Sequence, residues 1–358
     1  MLSMPRCGAP MIDGWYSLIA GVCPAPRGVL ETPGVRRLPR PLLNRLLRWS
    51  ATRGVLLFAA SVRHPAVGIA RDDPGWATLL LLRAVFGRRP KLIAFQFILH
   101  PRRHPLRALI KRYDRWAIRR TLLRGHALTL ADRRELAEHY GLPIERFSYI
   151  PWPLAVENAA AQLPPAPRTP LVLSAGRAYC DWETLFAAAR GAGWPLVVVC
   201  KNADRRKVDA LNSDGQATVL SELPREEFWE LMDRATVGVV AMVERGTSQG
   251  HIRIQEAHTR GVPLVITATD SLEDYVEDGE TAVLVPPGDA SGLRTAVDRL
   301  LASPDEREHL RRTAHGRALR WQVPHYFESL TYFAHGDPVR LPPTAPGAAS
   351  VAALGAGK

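Results

Sequence analysis

Three shortages in this chain each remove a class of protein. It has few cysteines, no long apolar run, and few acidic residues over its first half. Cys7, Cys23, Cys180 and Cys200 are the four cysteines in 358 residues, far apart and without a C-x-x-C pair, so neither a disulfide framework nor a zinc site is indicated. That usage fits a reducing compartment. The most apolar stretches, residues 54–62 and 76–82, fall well short of the roughly 20 residues that cross a bilayer. The N-terminal segment carries Asp13 within its short apolar stretch and makes a poor secretory signal. Together these features predict a cytoplasmic protein free of membrane spans, with peripheral attachment at the inner face of the membrane left open. No internal repeat and no Asp-x-Asp motif occur.

Hydrophobic residues make up 46% and charged residues 23%, a globular composition, and the length suits two domains of roughly 100–200 residues. The net charge of +12 is unevenly placed. Residues 1–150 hold 26 Lys and Arg against 9 Asp and Glu, a balance of +17, whereas residues 151–358 hold 21 against 26, a balance of −5.

From residue 170 onward, short β-branched runs alternate with longer helical patterns, which predicts a parallel α/β sheet with crossover helices. The expected strands are 170–174, 195–199, 217–220, 237–242, 262–267 and 282–285. Before residue 150, the runs at 54–62, AVGIARDD and KLIAFQFILH read as strands, and WATLLLLRAVFG and the stretch 105–124 read as helices. The expected organisation is an N-terminal domain over 1–154, an Ala/Pro-rich linker over 155–169 and a nucleotide-binding type of domain over 170–322. A C-terminal helix over 323–336, which can return to the first domain, and a low-complexity, disordered tail over 337–358 complete it.

The most informative window is TSQGHIRIQEAHTRGVPLVIT, residues 247–267, where a Gly-containing loop opens a helix that ends at Gly261 and feeds a buried strand. Amides at a helix N-terminus attract anions. Thr247 or Ser248 can cap such a helix, and Gly250 lets a ligand approach the backbone. Glu256 lies eight residues beyond Ser248, about 12 Å along a helix axis, which suits the two ends of a nucleotide sugar. No Gly-x-Ser-x-Gly turn surrounds Ser248, so a nucleophilic serine is not indicated.

With these residues in view, the chain resembles the retaining glycosyltransferases of glycosyltransferase family 4. Glu256, Ala257, Gly261 and Pro263 follow the second half of that family's signature, and residues 270–289 resemble its Glu, Asp-Gly and Pro-Gly-Asp continuation. SAGRAYCDWETL at 174–185 is similar to its Gly-Arg strand end, and VLSELPREEFWELMDRATVGVV to its base-binding strand and following helix. The resemblance spans roughly residues 140–320 and implies an α/β chain of GT-B fold, two Rossmann-like domains facing a central cleft.

It also implies transfer of a hexose-type sugar, UDP- or GDP-linked, to a hydroxyl acceptor with retention of configuration, in glycan, glycolipid or exopolysaccharide biosynthesis. No metal and no cofactor beyond the donor substrate is called for. By residue, it implies that Glu256 meets the ribose hydroxyls and Arg177 the diphosphate. The amides around Gly250 and His251 would contact phosphate or sugar, Glu273 would lie near the donor, and His100 beside the transferred sugar. His104 rivals His100, and His251 reads equally as a solvated first-turn residue.

Three departures stand out. Ser248 occupies the place of the family's first glutamate, which reads as altered donor recognition. The lysine usual after Gly-Arg is missing, with Lys201 at the end of the next strand as its substitute. No Gly-rich loop follows an early strand, so the acceptor-side domain is abbreviated or divergent.

Residues 102–124 contain nine Lys and Arg and one acid, Asp114. Leu106, Leu109, Ile110, Tyr113, Ala117, Ile118 and Leu122 recur at helical spacing. The segment reads either as a helix packed on its domain with a solvated basic face, or as a surface drawn to anionic lipid, with Trp116 as an interfacial side chain. The basic half favours an acceptor that is itself anionic or lipid-linked. Two competing classes are a degenerate GT-B protein that binds a nucleotide sugar or a partner enzyme without turnover, and a nucleic-acid binder. The second lacks a reading motif or an interleaved aromatic platform, so no nucleic acid is expected.

Overall fold

The computed structural model describes residues 17–18, 49–61, 66–70, 75–86, 91–99, 107–152, 163–167, 169–243, 249–272, 274–321, 323–339 and 341. The chain forms two compact units, one of residues up to Ile150 joined by Ser329–Val339, the other Pro151–Glu328.

In the first unit, a five-stranded parallel sheet runs in the order β1 (Ser17–Leu18), β2 (Ala66–Ala70), β3 (Lys91–Phe95), β4 (Leu122–Ala127), β5 (Phe147–Tyr149). Its helices are α1 (Ser50–Ser61), α2 (Trp76–Phe86), α3 (Arg107–Thr121) and α4 (Leu130–Tyr140). Leu57, Trp76, Leu79, Leu92, Phe97, Ile118, Leu136 and Phe147 share one core. Thr129 caps α4 by accepting from the Asp132 amide at 2.9 Å, and Gly141 closes it in the left-handed conformation.

Two sequence expectations fail in this unit. Residues 54–62 do not form a strand, because Ser50–Ser61 is helical. An unbroken apolar run does not by itself distinguish a buried strand from a buried helix. Here Gly54 and Leu57 are buried while Val55 and Ala59 are exposed, a spacing of three to four that only a helix gives. Nor does the helix of 105–124 persist to its end, since Leu122 begins β4. The Arg124 and His126 side chains made this strand hard to read. The Nη1 of Arg124 donates to the carbonyls of Phe333 and Ala334 at 2.9 and 3.1 Å. His126, wholly buried, has Nε2 2.8 Å from the Ile150 carbonyl, and burial pushes its pKa down to about 4. Polar side chains are tolerated inside a sheet when specific carbonyls meet them.

The second unit holds a six-stranded parallel sheet in the order β11 (Val283–Val285), β10 (Leu264–Thr267), β9 (Val237–Val240), β6 (Val172–Gly176), β7 (Leu196–Cys200), β8 (Ala217–Ser221). The crossover helices are α5 (Trp182–Ala189), α6 (Asn202–Leu211), α7 (Arg225–Arg234) and α8 (His251–Thr259), followed by α9 (Ala290–Ala302) and α10 (Pro304–Arg320), and the last helix, α11 (Val323–His335), belongs to the first unit from Ser329 onward. Each expected strand of this half is present, with ends shifted by a residue or two. Val172, Phe186, Val198 and Leu300 fill the core on one face of the sheet, while Leu173, Phe228, Ile254 and Leu264 fill the other. Apolar side chains on both faces of every central strand are what a doubly wound sheet requires.

Part of the expected linker packs on this unit. Arg311 donates from Nε to the Gly261 carbonyl at 2.8 Å and from Nη2 to the Pro164 carbonyl. Gly261 has φ +63°, and a Cβ there would collide with Leu163. The glycine that stops α8 is therefore demanded by both backbone and neighbour. The tail from residue 342 lies outside the described residues.

Candidate functional site

Strand order in the second unit reverses between β6 and β9, and the carboxyl ends of strands at such a point are where doubly wound sheets bind ligands. The loop after β6 is stitched to the segment after β9. Asp181 N donates to Ala241 O at 3.0 Å, Val243 N donates to Tyr179 O at 2.9 Å, and Cys180 and Met242 form an antiparallel bridge between them. Tyr179 takes φ +58° within this stitch, a conformation L-residues seldom adopt outside constrained sites.

Arg177 opens the stitched loop. It is largely exposed, and its Nη2 lies 3.3 Å from Glu222 Oε2, just beyond β8. Glu222, at φ +51°, also accepts from the Asn202 amide at the start of α6, at 3.3 Å. Lys201 precedes α6, with its Nζ 3.5 Å from Asp204 Oδ1. Arg177, Lys201 and Glu222 thus follow the ends of β6, β7 and β8, which are neighbours in the sheet.

Across the reversal point, α8 begins at His251. Its capping position is Gly250, in the left-handed conformation at φ +77°, where a Cβ would come within 2.7 Å of Met242 Sδ. The cap expected of Thr247 or Ser248 falls on residues outside those described, and the capping position itself is Gly250. The chain turns into the helix through a left-handed residue, and only glycine does so without strain while touching Met242. Gly250 has no side chain to accept from the first-turn amides, and such a helix end favours an anion.

The His251 side chain is not directed to solvent. It is buried against Tyr275, with ring centroids 5.5 Å apart, and near Trp152 at 6.3 Å, and burial lowers its pKa to about 4. It is a neutral packing residue at the root of the site, and Tyr275 further fixes this corner by accepting the Trp152 amide at 2.7 Å.

Glu256 stands on α8, about three-quarters buried, with Oε2 3.1 Å from Arg253 Nη1. Arg253 was not foreseen from sequence. Its guanidinium lies 4.1 Å from the Phe228 ring centroid, its Nε is buried without a partner among the described residues, and the side chain lines a small apolar cavity with Leu173, Phe228 and Leu264. Burial lowers its pKa, opposed chiefly by Glu256, and the charge of Arg177 is close enough to act in the same direction as burial. An arginine stays protonated regardless. The available signal was its place one helical turn before Glu256, where two side chains meet. Cys180, near both Lys201 and Arg253, is no nucleophile, because burial raises its thiol to about 11.

The structure therefore describes Arg177, Lys201, Gly250, His251 and Glu256 in the second unit, all following strand ends or on α8. Ser248, Glu273 and His100 lie outside the described residues.

Two parallel α/β units, the second doubly wound with a glycine-opened helix N-terminus at its reversal point, define the architecture of the GT-B class. Residues 182–303 match the family model described as Glycosyl transferases group 1. Solved structures share the fold. A glycosyltransferase from Rickettsia africae superposes with a TM-score of 0.60 at 11% identity, over 86% of this chain and 83% of that one. A sucrose-phosphate synthase from Thermosynechococcus elongatus gives 0.60 at 20% identity, over 86% and 82%. Anabaena Alr3699/HepE in complex with UDP and glucose gives 0.64 at 14% identity, over 79% and 81%. No curated protein sequence matches the chain.

Proposed function

We propose that the protein is a retaining glycosyltransferase that moves a hexose-type sugar from a nucleoside diphosphate sugar to a hydroxyl acceptor, working at the cytoplasmic side in glycan, glycolipid or exopolysaccharide assembly. The observation that carries this reading is the convergence on one sheet edge of the Gly250-opened α8 terminus with Arg177, Lys201 and Arg253. A diphosphate is the dianionic group such an edge suits, through charge-assisted and bidentate contacts. The group 1 family match over residues 182–303, which hold all of these but Arg177, and the UDP bound by a fold relative support it.

In this mechanism, the leaving diphosphate is stabilised as its charge grows. The α8 amides and Arg253 are fixed before reaction, so little reorganisation is needed there. Glu256 accepts from ribose hydroxyls and is itself oriented by Arg253. Ser248, Glu273 and His100 keep the donor-side roles implied by the family resemblance. The acceptor belongs to the basic first unit, which favours an anionic or lipid-linked hydroxyl compound.

A calorimetric titration with UDP and GDP, followed by nucleoside diphosphate release from their sugar conjugates and NMR of the product anomer, tests the reading. Failure of both nucleotides to bind, or an inverted anomer, overturns it. Tight nucleotide binding with no release would instead favour the degenerate, non-catalytic protein, a reading that Ser248 in place of a glutamate motivates.

A further inference from the structure

The two readings of residues 102–124 are separated by how α3 packs. Ala117 and Ile118 are buried in the first unit's core, so the expected apolar stripe mostly faces inward. A second apolar line is left on the outside. Leu109 is 65% exposed and Trp116 44%, and seven residues bring a helix back to nearly the same side. Among them, Lys111, Arg112, Arg115, Arg119 and Arg120 are all exposed, and the Arg120 guanidinium lies 5.4 Å from the Trp116 ring centroid.

The neighbouring helix also exposes apolar side chains. α2 and α3 are successive crossovers of one parallel sheet and pack against each other, so their outer sides adjoin. On α2, Val85 and Phe86 are 58% and 72% exposed, and Leu81 lies one turn before Val85.

The charge on these helices has one sign. Over α1, α2 and α3 there are eight basic residues, Arg53, Arg83, Arg107, Lys111, Arg112, Arg115, Arg119 and Arg120, against one acid, Asp114. That acid is turned inward, accepting from the Tyr140 hydroxyl at 2.8 Å. Single exposed apolar residues are ordinary on a protein surface. An aligned tryptophan and leucine set among five exposed cations with the acid withdrawn is the arrangement of an interfacial helix, and α2 adds an exposed phenylalanine whose ring centroid is 6.4 Å from that of Phe58 on α1.

We propose that the outer face of α2 and α3 rests on an anionic lipid surface. Lys and Arg meet the headgroups, and Trp116, Leu109 and Phe86 enter the interface between headgroups and acyl chains. The cations favour a bilayer over a second copy of this chain, because this face opposed to itself would bring five exposed positive charges against five. The inference is independent of the donor chemistry proposed above.

The test is sedimentation of the full-length protein with vesicles of phosphatidylcholine alone and of phosphatidylcholine with phosphatidylglycerol, at low and high salt. Binding is expected only with phosphatidylglycerol and is expected to weaken as salt rises. R112E/R115E/R119E should reduce partitioning at least about a hundredfold, since each basic residue near such a surface contributes about fivefold. W116A/L109A should weaken it too, with residual binding more sensitive to salt. All five positions are exposed, and unchanged melting temperature and circular dichroism confirm that the variants are folded. Equal binding to phosphatidylcholine, no binding to anionic vesicles at low salt, or binding indifferent to both variants would overturn the proposal. So would lipid-free self-association abolished by these variants, which would assign the face to a second copy.

Discussion

Replacing Arg253 by methionine separates a ligand-binding arginine from a structural one, because methionine keeps the apolar stem against Phe228 while removing the guanidinium. The loss on the protein side is small. One three-quarters-buried ion pair to Glu256 at 3.1 Å and one cation–π contact at 4.1 Å disappear. Against that, a guanidinium whose Nε has no partner among the described residues no longer has to be desolvated. These opposing effects are each about 1–2 kcal/mol, so the net change in stability should stay within about 1 kcal/mol. On the ligand side, a hydrogen bond to a charged group contributes about 1.5–3 kcal/mol, which corresponds to a roughly ten- to hundredfold loss of affinity for UDP or GDP. Titration calorimetry and a thermal melt on the same sample read both quantities. If R253M binds the nucleotide within about twofold of the parent, or if its melting temperature collapses, the assignment of Arg253 to the ligand is refuted.

Three further outcomes follow from the geometry. Glu256→Ala should abolish sugar transfer and weaken donor binding; undiminished turnover with unchanged donor affinity would remove the glutamate from the site. Gly261→Ala places a Cβ at φ +63° against Leu163 and should cost about 1–3 kcal/mol in a denaturant melt, part of it recovered in G261A/L163A; full recovery would show that the backbone conformation contributes nothing. His126, His251 and His258 are all buried, and burial lowers their pKa values to about 4, 4 and 3. Unfolded histidines bind protons at about 6.5 and these folded ones do not, so stability is complete above about 6.5 and falls as pH drops toward 4. Melts across that window should slope downward by up to about 1.4 kcal/mol per pH unit for each histidine. A flat profile would mean that the three rings are hydrated.

The second unit was almost wholly readable because its strands are short β-branched runs bounded by Gly, Pro and charged helices, and period and punctuation agree. In the first unit the same signals conflict. Residues 54–62 are uniformly apolar, so only the burial of Gly54 and Leu57 shows the helix, while β4 hides behind Arg124 and His126, whose carbonyl partners are remote in sequence. In the site, Glu256 and Gly250 could be found because they belong to a spaced pattern. Arg253 could not, because its significance lies in the Phe228 ring beneath it, contributed by a different helix. His251 showed the opposite problem: a polar letter beside the helix-opening glycine, with a side chain that packs against aromatic rings.

The stitch between the loop after β6 and the segment after β9 holds the backbone around Arg177 by two main-chain hydrogen bonds and a bridge, which disfavours a swing of the loop. What remains free to move is the side chain, and it is matched with Glu222. Under the proposed function, an arriving anion displaces an internal competitor of its own charge. Binding at Arg177 is then an exchange of counter-ions, in which the freed Glu222 carboxylate keeps the α6 amide as its partner among the described residues.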